Sequence, residues 1–297
     1  MINLKISIII IGHNTRKPLK SLLESINKLN MSVHVFEVIY VDDGSSDLSY
    51  DFFNSYNLKF NKKSTRFSCN RGRVAATQKA IELSRGSWFL FVQSNVILSS
   101  SLLVEYAHVI NSFNAKAYMG RVKYGSRDKI FNKYLNNNNR GVSKYFAGDL
   151  IHYKYLLFSN SMVRGSVFKS IQLNKKMRSY GGEELDFAFR LNARFPNMIK
   201  ASPLSVVVRN NHPSLSKHCL RLFEFGKNNF FLLTDEMRLA IVPSWCLLKF
   251  TFFFKPLIYI LYLVCSLLNK YNFGFLNFYI IRLQLLSSLL RGYYSGS

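Results

Sequence analysis

Three polar segments of this sequence stand where side chains in an α/β protein can reach a ligand. Asp42 and Asp43 follow an apolar run, and carboxylates at the end of such a strand can accept hydrogen bonds from a ribose hydroxyl or a base N–H. Arg71 precedes a predicted helix, where free backbone N–H groups favour an anion. Gln93 and Asn95 close a third apolar run, so we expect the segment Gln93-Ser94-Asn95 to open into a polar crevice.

Each segment also has an ordinary structural explanation. Asp, Gly and Ser are turn-forming residues, so residues 42–47 are equally typical of a turn that binds nothing. A surface arginine is usually solvated, and a core strand commonly ends in a simple turn. The binding interpretation therefore depends on the elements that surround these segments.

The surrounding elements alternate between strands and helices. Residues 5–11 and 35–41 are apolar runs typical of buried strands, and residues 18–29 place leucines at helical spacing between them. That order predicts parallel strands joined by a right-handed crossover. A helix over residues 73–84 and a strand over residues 88–92 continue the pattern. We therefore predict an α/β fold with a doubly wound, mostly parallel, Rossmann-like sheet.

The composition limits the classes of partner. The chain has 40 Lys and Arg against 16 Asp and Glu, and its formal charge of +24 favours nucleic acid, an anionic membrane or phosphorylated substrates. No recognition motif accompanies the charge, so we predict no nucleic-acid partner. The four cysteines have neither a CxxC pair nor metal-ligand spacing, which fits the reducing cytoplasm. The apolar residues 6–11 are too few and too early for a signal peptide.

Taken in order, these segments resemble the family 2 glycosyltransferases, which have a GT-A fold. The similarity covers residues 5–215 and rests on Gly12-His13-Asn14, Val41-Asp42-Asp43-Gly44-Ser45-Ser46-Asp47, Asn70-Arg71-Gly72 and the strand that ends at Gln93. It implies an inverting enzyme that moves a sugar from a nucleotide-sugar donor to an acceptor. It also implies a set of donor-binding residues: His13, Asn14, Asp42, Asp43, Asn70, Arg71, Arg73, Gln93, Ser94, Asn95 and His212.

The central motif departs from that family. Its members end the central strand in Asp-x-Asp, whose carboxylates hold Mg²⁺ or Mn²⁺ against the donor diphosphate, whereas this chain has Gln93-Ser94-Asn95. Because hard cations at phosphate sites usually rely on carboxylates, an Mg²⁺ or Mn²⁺ cofactor is disfavoured without being ruled out. We predict transfer without a metal, with Arg71, Arg73, Lys123 or His212 offsetting the charge of the leaving diphosphate. The alternative is a GT-A domain that has lost catalysis and acts as a binding or assembly subunit.

A second motif lies at residues 180–191. Acidic residues in a first helical turn favour the helix dipole, which is a sufficient structural explanation for Glu183 and Glu184. The segment also resembles the family's Gly-Gly-Glu-Asp motif, whose last carboxylate deprotonates the acceptor hydroxyl. This resemblance implies that Glu184 is the catalytic base, one methylene longer than the commoner Asp. It further implies that Gly182 and Glu183 contact the acceptor.

The region between these motifs gives weaker patterns. Residues 102–113 predict a helix and residues 117–124 a strand, while residues 133–144, with a run of four Asn, predict a mobile loop near the acceptor. A strand over residues 205–209 leads to His212. In some members of the family that the chain resembles, a histidine at the matching place contacts the metal or the diphosphate. A lone His in a polar turn can equally be incidental.

Residues 243–297 differ in composition from the rest of the chain. They contain no Asp or Glu, and Lys and Arg residues are spaced among bulky apolar ones. The apolar run 257–268 is shorter than the ~20 residues of a spanning helix. Such a pattern is typical of helices in an anionic membrane interface, and a pair of core helices is the alternative.

These observations predict three parts and one function. Residues 1–100 form the nucleotide-sugar-binding half of a GT-A domain, residues 101–215 its acceptor-binding half and residues 216–297 membrane-associated helices. The predicted enzyme transfers a sugar to a glycan or lipid-linked glycan in surface polysaccharide synthesis. It is expected on the cytoplasmic face of the cell membrane, as a peripheral or monotopic protein.

Overall fold

The computed structural model describes residues 4–30 and 35–296, and the chain divides into two units. The first contains the sheet and comprises Met1–Lys123, Asn138–Lys175 and Phe187–Asn210. The second is helical and comprises Tyr124–Asn137, Lys176–Asp186 and Asn211–Ser297. Segments of the two units interleave along the chain, and the functional division at residues 100 and 215 stays a prediction.

The strands form one mixed sheet. They are β1 (Ile6–Gly12), β2 (Val35–Asp42), β3 (Lys62–Arg66), β4 (Trp88–Gln93), β5 (Ile97–Leu98), β6 (Ala117–Tyr124), β7 (Asn160–Arg164) and β8 (Ile199–Arg209). Their order across the sheet is β3-β2-β1-β4-β7-β6-β8-β5. The first four strands of that order are parallel, whereas β7 is antiparallel to β4 and β6, and β5 is antiparallel to β8. The predicted α/β sheet is confirmed, and its parallel part is confined to those four strands.

The helices of the described residues are α1 (Arg16–Asn27), α2 (Ser49–Ser55), α3 (Arg73–Leu83), α4 (Leu102–Ser112), α5 (Lys129–Leu135), α6 (Glu183–Arg194), α7 (Leu215–Lys227), α8 (Asp235–Leu239), α9 (Cys246–Lys249), α10 (Thr251–Leu268) and α11 (Leu276–Gly296). In the same described residues, four short 3-10 segments cover Gly141–Lys144, Tyr153–Tyr155, Gly165–Lys169 and Asn229–Leu232. The helices expected over residues 18–29, 73–84 and 102–113 are confirmed to within two residues at each end.

The core of the first unit follows from the apolar patterns of β1 and β4. Ile8 and Ile10 lie on one face of β1 because strand residues two apart share a face, and both join a cluster with Leu19 and Leu22 of α1. Burying each such side chain contributes about 1.5–3 kcal/mol. The apolar residues of β4 are all buried, as their unbroken run predicts.

A buried amide connects three strands in the second half of the sheet. Asn160 of β7 is fully buried, and its Nδ2 donates to the carbonyls of Arg121 in β6 (3.0 Å) and Ser205 in β8 (2.8 Å). Its Oδ1 accepts a hydrogen bond from the Tyr106 hydroxyl of α4 (3.0 Å). Because every polar atom of the amide is used, this residue holds the antiparallel half together without a burial penalty.

Two expectations about extended and loop segments need correction. The loop predicted over residues 133–144 is wrong at both ends, because α5 continues to Leu135 and a 3-10 turn covers Gly141–Lys144. The Asn side chains order the region instead: Asn136 accepts from the backbone N–H of Tyr124 (2.9 Å) and donates to its carbonyl (2.8 Å). The strand expected over residues 205–209 begins earlier, at Ile199.

The second unit contains the C-terminal helices. A Cβ on Gly226 of α7 would collide with the Leu289 carbonyl oxygen of α11, so the two backbones approach closely. α10 continues through Pro256 and buries Ile258 and Cys265. Its 18 residues have a mean hydropathy of 1.9, and only 11% of them are buried. Of the helices in the described residues, α10 alone has the length and composition of a membrane span.

Candidate functional site

The turns that follow β1 and β2 are joined by hydrogen bonds. The Asp43 N–H donates to the Gly12 carbonyl (2.8 Å), and His13 Nδ1 donates to the Asp43 carbonyl (2.9 Å), which can only accept. The Asn14 N–H donates to Ser45 Oγ (2.8 Å). Parallel pairing with Gly12 opposite Asp42 places the two turns at the same edge of the sheet. The side chains of His13 and Asn14 remain exposed there.

Asp42 builds its own turn. It is fully buried, and its Oδ1 accepts from the Ser45 N–H (2.8 Å) while its Oδ2 accepts from the Tyr40 hydroxyl (3.2 Å). Arg66 Nε lies 3.8 Å from Oδ1. Desolvation by burial raises the pKa of Tyr40 well above its ordinary value, so this hydroxyl stays a donor. Both carboxylate oxygens of Asp42 are thus engaged within the chain.

Asp43 occupies the N-terminus of α3. Its Oδ1 accepts from the Arg71 N–H (2.7 Å) and its Oδ2 from the Gly72 N–H (3.0 Å). The backbone N–H groups that immediately precede α3 therefore bind an anion, and that anion is a carboxylate of the chain. Burial raises the pKa of Asp43, and the two backbone hydrogen bonds oppose this shift. A nucleotide-sugar donor that binds at this edge would meet the turns after β1 and β2, which the Asp43 N–H connects.

The basic residues beside this layer differ in what they already contact. Arg66 donates through Nη2 to the Ser45 carbonyl (2.6 Å). The Arg71 guanidinium lies 4.9 Å from the centre of the Phe67 ring, and its side chain is exposed. Arg73 and Asn70 are also exposed, and Asn70 Oδ1 accepts from the Gly72 N–H (3.0 Å).

The end of β4 carries amides where a metal site would need carboxylates. Gln93 pairs with Ile11 of β1, which brings it level with the two turns. Its Oε1 is shielded from solvent and has no hydrogen-bond partner in the part of the chain that the structure describes. Ser94 is buried, and Asn95 is half-buried. These three residues therefore present polar groups without formal charge.

One residue at this place, Arg209, belongs to none of the sequence motifs. β5 and β8 pair with Ile97 opposite Val208. This register places Arg209, the last residue of β8, beside the segment that follows β4. Because a guanidinium carries only donors, the amide oxygen of Asn95 faces it and accepts from Nε (3.2 Å) and Nη2 (3.3 Å) of Arg209. No motif includes Arg209, and only the strand pairing reveals it.

The donor set at the end of β4 does not fit a divalent cation. Mg²⁺ and Mn²⁺ prefer carboxylate and other oxygen ligands at phosphate sites, whereas this segment offers two amides and a guanidinium. Within residues 4–30 and 35–296, no three His, Cys, Asp or Glu side chains are grouped so that they could hold a metal. Sugar transfer without a metal stays a prediction.

The Gly-Gly-Glu-Glu motif begins α6. Gly181 and Gly182 have φ values of +87° and +91°, which residues other than glycine rarely adopt. Both glycines pack on the Phe225 ring. The Asp186 N–H donates to the Gly182 carbonyl (2.9 Å), which closes the first helical turn. Glu183 is buried, whereas Glu184 is half-buried. The glycines thus set where the helix starts, and with it the position of Glu184.

His212 lies in an aromatic environment in the second unit. Its ring centre is 5.0 Å from that of Tyr124 and 5.5 Å from that of Phe131. Its Nδ1 donates to the Pro213 carbonyl (2.9 Å), so in the neutral ring the lone pair is on Nε2. That tautomer can accept or ligate, but it does not donate to a phosphate from Nε2. The donor-binding role of His212 stays a prediction. The same holds for the other donor-binding residues that the family resemblance implies.

Comparison with known proteins supports the resemblance. The family model "Glycosyl transferase family 2" matches residues 7–172, more than half of the chain. The poly(ribitol-phosphate) beta-glucosyltransferase of Bacillus spizizenii is 30% identical over 122 residues, which are 40% of this chain and 19% of that protein. The poly(ribitol-phosphate) beta-N-acetylglucosaminyltransferase TarS of Staphylococcus aureus is 27% identical over 121 residues, 40% of this chain and 21% of that protein. The matched segment thus spans about a fifth of either relative.

Solved structures share the fold. TarS of S. aureus in complex with UDP-GlcNAc superposes with a TM-score of 0.55 at 18% identity, over 79% of this chain and 69% of that one. The mannosyltransferase PcManGT of Pyrobaculum calidifontis, in complex with GDP-Man and Mn²⁺, gives a TM-score of 0.55 at 12% identity, over 77% and 64%. At these identities the likeness shows the GT-A fold alone.

Proposed function

Because this chain belongs to glycosyl transferase family 2, we propose that it transfers one sugar, with inversion, from a nucleotide-diphosphate sugar to a hydroxyl of a glycan or lipid-linked glycan acceptor. The product would be a surface polysaccharide. The observation that carries this proposal is the layer of turns after β1 and β2, at the edge where α/β folds bind nucleotides. Hydrogen bonds from the Asp43 N–H, His13 and the Asn14 N–H join the two turns, and the Asp43 carboxylate connects the turn after β2 to the start of α3.

The transfer step forms one bond, breaks one bond and moves one proton. The acceptor oxygen forms a bond to the anomeric carbon, and the bond from that carbon to the diphosphate oxygen breaks. We assign the proton of the acceptor hydroxyl to the Glu184 carboxylate, on the strength of its place in the motif that begins α6. The nucleoside diphosphate leaves with the bonding electrons and one additional negative charge, which the protein must stabilise.

The charge of the chain supports a polyanionic acceptor. Both named relatives act on poly(ribitol-phosphate), according to their names, and the present chain has a formal charge of +24. Phosphates along such a polymer would attract the enzyme from a distance, and salt would weaken this attraction by screening it. We therefore propose a phosphate-containing polymer as the acceptor to test before a neutral glycan.

The test is a panel of nucleotide sugars offered to the purified chain, with and without EDTA, followed by the same panel with Glu184→Gln. We expect one donor to be turned over and Glu184→Gln to lower kcat by roughly 10²- to 10⁴-fold, because the base contributes that much to hydroxyl attack. Glu236→Gln, an exposed acid of α8, is the matched control and should keep its activity. A Glu184→Gln enzyme with most of its turnover would exclude this residue as the base.

The same panel tests the alternative function. If no donor is turned over while a nucleoside diphosphate still binds, the chain is a binding subunit and the catalytic assignment is wrong. The absence of carboxylates at Gln93 and Asn95 is the observation that favours this second candidate. Binding is measured by isothermal titration calorimetry, so it does not depend on turnover.

We further propose that the second unit attaches to the inner face of the cell membrane. Phe252 and Phe253 of α10 are 84% and 73% exposed, and residues 243–297 contain basic but no acidic side chains. Bulky apolar side chains can enter the acyl boundary while lysines meet anionic headgroups. Attachment would bring the enzyme to a lipid-linked acceptor.

Vesicle flotation tests this attachment. The chain should float with vesicles that contain anionic lipid, and the double variant Phe252→Ser, Phe253→Ser should float at least several-fold less. Phe146→Ser removes an equally exposed phenylalanine of the first unit and is the control. Equal flotation of the double variant and the control variant would contradict α10 as the attachment element.

A further inference from the structure

A buried amide of the second unit holds the segment that precedes α6. Asn229, at the start of the 3-10 segment Asn229–Leu232, is 2% exposed. Its Nδ2 donates to the carbonyls of Ser179 (2.6 Å) and Gly181 (2.7 Å). An amide nitrogen carries two hydrogens, so each carbonyl can accept one of them. Because the two carbonyls are separated by a single residue, this one side chain fixes the path of the segment.

The segment that Asn229 fixes leads directly to Glu184. Gly181 and Gly182 both have positive φ values, and a Cβ on either glycine would crowd the Phe225 ring. Glu184 follows two residues after Gly182, in the first turn of α6. The glycine turn is thus held by the ring and by the Asn229 amide, and the place where α6 starts depends on both contacts.

The backbone that carries Asn229 is itself held in place. Phe230, the next residue in the chain, is fully buried, and its ring centre lies 5.6 Å from that of Phe225 and 5.3 Å from that of Tyr293 in α11. Arg238 Nε donates to the Phe230 carbonyl (3.2 Å). A polar side chain that is supported by such packing and hydrogen bonding can position its partners precisely enough for catalysis.

We propose that Asn229 is a positioning residue for the transfer reaction: by holding the turn at Gly181, it places the Glu184 carboxylate where it takes the proton of the acceptor hydroxyl. The proposal rests on the transferase function and on the assignment of Glu184 as the base, both proposed above. In this role Asn229 acts through the backbone before α6 and does not touch the substrate. A reacting group that is displaced by about 1 Å can lose roughly 100-fold in rate, so the support of the base matters for turnover.

The first measurement compares kcat and KM of the wild-type chain, Asn229→Ala and Asn229→Gln, with the donor that the nucleotide-sugar panel identifies. We expect Asn229→Ala to lower kcat roughly 10- to 100-fold, because the two carbonyls lose their donor and the turn shifts. Asn229→Gln keeps both N–H groups on a side chain one methylene longer, so it should lower kcat by a smaller factor. The dissociation constant of the nucleoside diphosphate, measured by calorimetry, should change less than about twofold, because the base acts on the acceptor.

Asn228→Ala is the matched control. Asn228 is the neighbouring residue of the same type, but it is exposed and its Nδ2 donates to the Glu224 carbonyl of α7 (2.9 Å), so this variant should keep its kcat. Hydrogen exchange of residues 179–186 should become faster in Asn229→Ala and stay unchanged in Asn228→Ala. Thermal melts show whether Asn229→Ala is folded, and if it is not, Asn229→Gln carries the comparison.

Combination with Glu184→Gln separates the positioning of the base from a general effect on the fold. If Asn229 acts through Glu184, then Asn229→Ala should lower the turnover that remains in Glu184→Gln by less than about twofold. A general loss of folded enzyme would instead lower turnover by the same factor with either residue at position 184. Equal losses in the two backgrounds would overturn the proposal.

The outcomes separate this inference from the transferase function. If the wild-type chain is active and folded Asn229→Ala keeps its kcat, only the role of Asn229 is wrong. If the wild-type chain turns over no donor, the transferase function is wrong and the role of Asn229 fails with it. A loss of nucleoside diphosphate affinity as large as the loss of kcat would place the effect of Asn229 in donor binding and also overturn the proposal.

Discussion

The turns after β1 and β2 and the segment after β4 lie level at one edge of the sheet, yet they use polar side chains differently. In the turns, the carboxylates of Asp42 and Asp43 are retained and accept hydrogen bonds from Ser45, Arg71 and Gly72. After β4 there are amides, one of them directed at Arg209. Acidic groups are thus kept where they build a turn, and amides stand at the end of β4, where one of them contacts a guanidinium. A motif's residue types therefore have to be interpreted together with the charges that the fold places beside them.

The largest expected effect comes from restoring acids after β4. In the double variant Gln93→Asp, Asn95→Asp, two carboxylates would add negative charge at the end of β4 and repel the diphosphate. We expect transfer in EDTA to fall by roughly 100-fold or more, and Mn²⁺ to recover part of it by bridging carboxylates and phosphate. Asn57→Asp, which adds an exposed carboxylate elsewhere in the unit, is the control. Unchanged activity of the double variant in EDTA would break the comparison.

Removing an acid from the turns should cost both stability and binding. Asp43→Ala removes the acceptor of the Arg71 N–H and leaves the Gly72 N–H with Asn70 Oδ1 alone, so we expect the free energy of unfolding to fall by about 2 kcal/mol. Nucleotide affinity should fall with it, by roughly tenfold, because the turn after β2 loses its connection to the residues that precede α3. Urea denaturation and calorimetry measure the two effects. Asp51→Ala, at an exposed site in the first turn of α2, should change neither by much.

The pH dependence of stability should have opposite signs for two acids of the same turn. Burial raises the pKa of Asp43 above 3.8, so its contribution to stability is present below that pH and is lost as the pH rises through the folded pKa. For Asp47, burial acts in the same direction, but hydrogen bonds from Ser49 and the Arg16 N–H outweigh it and lower the pKa. Its contribution is therefore present above 3.8 and is lost as the pH falls.

Urea denaturation of Asp43→Asn and Asp47→Asn across this range checks the signs. Relative to the wild-type chain, Asp47→Asn should lose stability as the pH is raised towards 3.8 from below, and Asp43→Asn should gain stability as the pH is raised above 3.8. If both variants shift in the same direction, burial does not distinguish the two carboxylates.

The smallest effect concerns strain in the turn after β2. Leu48 has φ of +60° and an exposed side chain, a backbone conformation that costs a non-glycine residue about 1 kcal/mol. Asn tolerates this conformation, so Leu48→Asn should raise the free energy of unfolding by up to about 1 kcal/mol in urea denaturation. Leu48→Ala keeps the strain and should bring no such gain.

Parts of the fold were accessible from the sequence and parts were not. β1, β2 and β4 were predicted because their apolar runs reflect burial on both faces. β3 was missed because its residues, Lys62–Arg66, are polar and form an edge strand without an apolar pattern. The order around Lys133–Lys144 was missed because it depends on Asn side chains that bond to distant backbone groups.

By itself, the sequence determined the strand and helix alternation, the family and the replacement of the Asp-x-Asp carboxylates, because periodicity and motif order are local properties of the chain. Only the tertiary structure decided that Asp43 fills the N–H groups before α3, and that Arg209 lies against Asn95. Both contacts join residues that are far apart in the chain and meet through strand register. Register depends on how whole strands pair, and no short segment of sequence encodes it.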